Sequence, residues 1–209
     1  TILLGVSSSI IAAEDLKVGM IVGRGGKTNP FFKMTIKGIG KAKRETKLKI
    51  VFENNPTADA KEFRNAAFRL IKNGANVLVT NGLEGAWVPE VAKAHPKVRI
   101  IVNDTSQDYK LPNVVSIAYA QEEGSFLVGA LAGLVTKTNQ ISFIGGVNIG
   151  PIIEFAAGFK SGALHTNKSC KVHEHYLSKF PDFSGFGNPK KALKLTNDDI
   201  KKGSDIFFG

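Results

Sequence analysis

The 209 residues are 43% apolar and 22% charged with only 8 prolines, a composition that buries a core and excludes a disordered chain. Lys and Arg outnumber Asp and Glu by 28 to 18, a net charge of +10; the basic side chains scatter along amphipathic segments and no nucleic-acid module accompanies them, so no nucleic-acid partner is expected. One cysteine, Cys170, rules out an internal disulfide framework and a cysteine metal cluster, and no stretch reaches the roughly 18–20 apolar residues needed to cross a bilayer.

The chain opens on TILLGVSSSIIAA, residues 1–13, an apolar, small-residue run before Glu14 and Asp15. It reads as the h-region and cleavage zone of an export signal, although a basic n-region is missing and Ile11 stands where a small residue is wanted. A first strand or a loose arm is the other reading. From residue 16 onward β-branched runs alternate with amphipathic ones. Strands are predicted near 16–22, 47–52, 76–80, 98–102, 113–118, 140–144, 170–176 and 204–208. Helices are predicted near 32–45, 57–73, 85–94, 121–137, 150–164 and 189–202. This alternation implies βαβ units, a parallel sheet covered on both faces, and an α/β, doubly wound class. Gly74 just past a helix end, Pro96 before the run VRIIV, and two glutamates opening helix 121–137 all agree with the register. Gly124, Gly129 and Gly133 cost that helix propensity, so a close packing contact is expected there.

In open parallel sheets ligands bind beyond the carboxyl ends of the strands. The loops that fall there are GRGGKTNPF, ENNPTAD, TNGLEG, NDTSQD, GGVNIGP and FPDFSGFGNP. Their Gly, Asn, Asp, Ser, Thr and Phe suit hydrogen bonding to, and stacking on, a neutral polar ring compound. His173 and His175, two apart on a strand, share a face and could hold a metal, but no third ligand is evident in the sequence nearby. Catalytic signatures are missing: no Gly-x-Ser-x-Gly elbow, no Walker loop, and a GRGG loop without the third glycine of a dinucleotide fingerprint. No enzyme, cofactor or metal is expected.

Three segments carry a resemblance: VGMIVGRGG…FF…GI at 18–39, EEGSFLVGALAGLVTKTNQISFIGGVNIGPIIEFAAGFKSGA at 122–163, and GFGNPKKA…IKKGSDIFFG at 185–209. Together they resemble the basic membrane protein family, the purine-nucleoside receptor (PnrA-like) branch of type I periplasmic binding proteins that feed ABC importers. The resemblance implies a type I periplasmic-binding-protein fold with two doubly wound parallel-sheet lobes, the second incomplete, because family members run longer than this chain. The expected divisions are a leader remnant at 1–13, an N-terminal lobe at 14–137 and a partial C-terminal lobe at 138–209.

It also implies a nucleoside clamped in the cleft between the lobes. The family's first-loop contacts map onto Asn29, Phe32 and Lys33, with Phe32 as the stacking ring and Phe31 left for the core. The second ring maps onto Phe186, with Phe180 and Phe183 competing in the same loop, and Asn188 stands where the family has an acid. Asp104 matches the acidic residue after the fourth strand, Asn81 lies in the turn after the third, and Asn148 lies in the loop GGVNIGP. Asn29-Pro30-Phe31-Phe32 also resembles the NPFF element of sugar-binding type I receptors, which keeps a sugar as the alternative ligand. A truncated product that binds nothing is a third reading. The implied partners are a nucleoside, with a purine nucleoside expected, and an ABC permease, with the receptor a monomer in the periplasm or on the outer face of the cytoplasmic membrane.

Overall fold

The computed structural model describes residues 16–23, 26–46, 48–55 and 59–209; the leader expected at 1–13 lies outside them. The chain divides into two compact units, Thr1–Ala118 and Tyr119–Gly209.

In the first unit β1 (Lys17–Val22), β2 (Lys49–Asn54), β3 (Val77–Asn81), β4 (Arg99–Asn103) and β5 (Val114–Ile117) form one sheet in the order β2-β1-β3-β4-β5. Every pairing is parallel. The inner strands β1 and β3 are buried almost throughout, as near-continuous apolar runs covered on both faces should be. Alternation sorts their side chains. Val18, Met20 and Val22 face α1 (Pro30–Thr46), while Ile21 faces the other way, toward α2 (Ala60–Lys72) and α3 (Val88–Ala94). Helix α2 buries Phe63, Ala66, Ala67 and Leu70, a stripe at i, i+3, i+4 and i+7. Burying Phe63 and Leu70 contributes about 1.5–3 kcal/mol each. Asp59 caps the helix by accepting from the Glu62 amide, and Gly74, at φ 87°, ends it. Residues 85–87, expected to open the third helix, belong to a separate 3-10 turn (Gly82–Trp87), and α3 starts only at the Pro89 step, where the ring's fixed φ suits a first helical turn.

The second unit holds β6 (Gln140–Asn148), β7 (Lys171–Lys179) and β8 (Ile206–Phe208) in the parallel order β7-β6-β8. Helices α4 (Gln121–Val135) and α5 (Gly150–Thr166) pack closely, with α6 (Pro189–Lys201) completing the unit. On one sheet face Ile141, Phe143 and Phe208 pack against Phe159 of α5, and the three phenylalanine rings meet at 5.2–6.4 Å. Helix α4 therefore belongs to the second unit, and the boundary falls after Ala118, not at the expected 137. The glycines are the reason. A Cβ at Gly129 would collide with the Phe159 carbonyl and one at Gly133 with Thr166, so α4 is shaped for α5; Gly124 meets nothing and plays no part in the contact.

Candidate functional site

At the carboxyl end of the first sheet, α1 begins with Asn29 accepting from the Phe31 amide through Oδ1 at 3.0 Å, which closes an Asx turn and sets the next two side chains on different faces. The two phenylalanine rings meet edge to face at 5.3 Å. Their burial is the reverse of that expected. Phe32 is only 2% exposed and packs among Val18, Met20, Val22, Val77 and Val79, so it belongs to the core; Phe31 is 40% exposed. The cause is helical geometry: Phe32 shares its face with Ile36 and Ile39, which pack on the same cluster, and that stripe must cover the sheet. Lys33 is exposed one position further on, and Lys27 lies 4.2 Å over the Phe52 ring.

Beneath these loops lies a buried polar network that the sequence reading missed. Glu84, 2% exposed, accepts from Thr80 Oγ1 at 2.5 Å and Asn81 Nδ2 at 3.4 Å through Oε2, and from Asn55 Nδ2 at 2.9 Å through Oε1. Burial pushes its pKa up to about 7, against the opposing pull of the Thr80 and Asn55 hydrogen bonds. Asn81, expected to meet ligand, is buried instead. Its Oδ1 caps the 3-10 turn by accepting from Leu83 N, which leaves only its Nδ2 for Glu84. The signal was present in the sequence as Asn81-x-x-Glu84, the spacing of an N-terminal capping box. Asn55 is fully buried at the end of β2 with its backbone amide on the Val22 carbonyl, and its Oδ1 has no hydrogen-bond partner among the described residues. Asp104 is half-buried at φ 63°, a left-handed conformation that aims its carbonyl at Gly82, where any Cβ would collide with it.

In the second unit the pair Gly145-Gly146, expected in a loop, lies inside β6. The missing side chains make room for neighbours: a Cβ at Gly146 would come within 2.5 Å of the Phe186 ring, and one at Gly185 would collide with the Gly146 carbonyl. Phe186 thus rests on β6 from the 3-10 turn Ser184–Gly187 and remains 51% exposed. That turn is held by Ser178, whose Oγ accepts from Gly185 N at 3.1 Å and donates to the Asp182 carbonyl at 2.6 Å. Asp182 in turn accepts from the amide and hydroxyl of Ser184, both at 2.8 Å. Phe180 and Phe183 pair edge to face at 5.8 Å beside it. Asn188 caps α6 through Oδ1, which accepts from Lys191 N at 3.1 Å. Asn148, half-buried, is the last residue of β6 opposite Lys179.

The histidine pair is divided between separate partners: His173 Nε2 lies 2.9 Å from Gln140 Oε1, and His175 Nε2 lies 2.7 Å from Asp199 Oδ2. Among the described residues no cluster of three His, Cys, Asp or Glu side chains is placed to hold a metal. Asp199 is fully buried; desolvation would raise its pKa, but hydrogen bonds from Lys202, Ser142 and His175 outweigh it and hold the carboxyl below its ordinary value.

A family profile described as "ABC transporter substrate-binding protein PnrA-like" matches residues 16–206. Among curated relatives, a CD4+ T-cell-stimulating antigen of Listeria innocua is 28% identical over 204 residues, covering 94% of this chain and 55% of the relative. An "ABC transporter nucleoside-binding protein BmpA" of Lactococcus lactis is 34% identical over 110 residues, 52% of this chain and 31% of that protein. Among solved structures, an ABC transporter solute-binding protein from Aeropyrum pernix superposes with a TM-score of 0.70 at 21% identity, covering 93% of this chain and 54% of the other. The chain spans about half the length of the relatives it matches along most of its own length.

Proposed function

Because this chain belongs to the PnrA-like family of ABC transporter substrate-binding proteins, we propose that it is a receptor module that binds a nucleoside, with a purine nucleoside as the expected class, without turning it over, and hands it to an ABC permease from the outer side of the cytoplasmic membrane. One observation carries the ligand class. Each unit presents a half-exposed phenylalanine on the segment that follows a strand's carboxyl end, Phe31 after β1 and Phe186 after β7. An exposed ring on a glycine-lined seat suits a flat partner and leaves the ring's apolar surface to be covered by it. The relative named as a nucleoside-binding protein supports the same class.

A stack on each ring is worth about 1–3 kcal/mol, and micromolar affinity needs about 8 kcal/mol in all. Two stacks therefore supply a large part of the free energy, and polar groups such as Lys33, Asp104 and Asn148 select the edge of the ring system and the sugar. Phe32 supports Phe31 from below and makes no ligand contact in this reading.

A thermal-shift screen of nucleosides, free bases and hexoses tests it, since stabilisation follows ligand concentration over Kd. Inosine, guanosine or adenosine should stabilise the chain, and Phe31→Ala or Phe186→Ala should weaken binding about tenfold, the loss of roughly 1.4 kcal/mol. Stabilisation by hexoses alone would move the reading to a sugar receptor. Equal affinity in both alanine variants would end the stacking argument.

A further inference from the structure

We propose that two copies of this chain pair through the open side of the second unit, helix α4 lying antiparallel against α4 of the other copy and β8 against β8, in place of the monomer expected from the resemblance.

Helix α4 is apolar on both of its faces. Ser125, Gly129, Ala132 and Gly133 are buried, and the two glycines seat α5. Away from α5, Leu127, Leu131 and Leu134 stand 60–70% exposed, with Val128 and Val135 exposed beside them. A helix that is hydrophobic all round is a buried helix in a globular protein, and a contiguous run of exposed apolar side chains marks an interaction site. The leucine spacing of i, i+4 and i+7 is the seam by which one helix packs along another.

The sheet beside this face is open at the same place. Asp205, the residue before β8, accepts from Thr136 Oγ1 and from the Lys137 amide, both at 2.7 Å, which ties the end of α4 to the start of β8. The order β7-β6-β8 repeats the order β2-β1-β3 of the first sheet. There the far side of β3 is taken by β4, whereas no strand takes the far side of β8 among the described residues. The backbone of Ile206, Phe207 and Phe208 is therefore a template for a further strand next to the leucine stripe.

The symmetry of the stripe identifies the occupant as a second copy. Leu127 and Leu134 are centred on residues 130–131, and so are the exposed Glu123 and Lys137 at its two ends. A second α4 turned end for end about that point sets Leu127 against Leu134 of the other copy, and Glu123 against Lys137 of the other copy, so apolar and charged groups match together. A parallel arrangement would oppose Glu123 to itself. The same two-fold axis runs β8 antiparallel to β8, so one operator covers the helix face and the sheet edge, an isologous contact that closes at two chains.

Sedimentation equilibrium of the 209-residue chain over about 1–100 µM should reach twice the 22.5 kDa chain mass at the upper end. Leu131→Glu alters a side chain that is exposed in the single chain; circular dichroism should show its fold unchanged. Its dimer Kd should rise at least about hundredfold, because each dimer loses two buried leucines and gains two charges in the seam. Lys137→Glu should raise the Kd about threefold to tenfold, and adding Glu123→Lys should restore it to within about twofold. A chain that stays monomeric over the whole range overturns the dimer and leaves the face to a different partner. A dimer that Leu131→Glu leaves intact overturns α4 as its interface. A Lys137→Glu chain that pairs as tightly as the unmodified one, or that the charge swap does not rescue, overturns the antiparallel arrangement.

Discussion

Replacing Glu84 by Gln should make the chain more stable at pH 8 and leave it unchanged at pH 4. In the folded chain the carboxyl has a pKa of about 7, against an ordinary value of 4.5. The folded state therefore holds its proton more tightly than the unfolded state. Below about pH 4.5 both states are protonated and the group contributes no pH dependence. Between about 4.5 and 7 only the folded state keeps the proton, so stability falls as pH rises, by about 1.4 kcal/mol per pH unit. Above about 7 both states are ionised and the loss is complete. The shift of 7 − 4.5 = 2.5 units converts to about 3 kcal/mol. Gln has no proton to lose, and its oxygen can keep the hydrogen bonds from Thr80 and Asn81. The difference in melting temperature between Glu84→Gln and the unmodified chain should thus grow by roughly 10 °C from pH 4.5 to 8. Differential scanning calorimetry of the pair at matched pH measures it, because titrations common to both chains cancel. A difference that stays constant over the range would refute the desolvation argument.

Three further outcomes follow from the packing. Gly146→Ala places a methyl against the Phe186 ring, so it should weaken nucleoside binding within about twofold of Phe186→Ala; isothermal titration calorimetry that finds the unmodified affinity would show that the ring is not seated there. In α4 the two substitutions Gly124→Ala and Gly129→Ala should have opposite signs in urea denaturation: the first stabilises by up to about 1 kcal/mol because its site is open, and the second costs about 1–3 kcal/mol because its methyl meets the Phe159 carbonyl. Asp199→Ala should destabilise the second unit by about 3–5 kcal/mol, since it strands Ser142, His175 and Lys202. Because the Asp199 pKa lies below its ordinary 3.8 in the folded state, its contribution is present above about pH 4 and is lost as pH falls through the folded value; the gap between the two chains should narrow in acid.

The sequence by itself determined the class of the fold, the order of its elements and the family. Apolar runs such as KVGMIV and NVLVT, separated by amphipathic stretches with capped ends, admit little besides a covered parallel sheet, and the observed strands begin within about two residues of the predicted ones. That information is local, so periodicity carries it. Which of Phe31 and Phe32 faces the core, whether Gly145 and Gly146 make a loop or a strand, and where α4 belongs were decided only by tertiary packing. A one-residue step rotates a helical side chain by about 100°, and both phenylalanines are equally apolar on paper; the sheet beneath α1 chose between them. The Glu84 network came from the same source: burial gives the carboxyl its raised pKa, and only the folded chain brings Asn55 and Thr80, 29 and four positions away, to its oxygens.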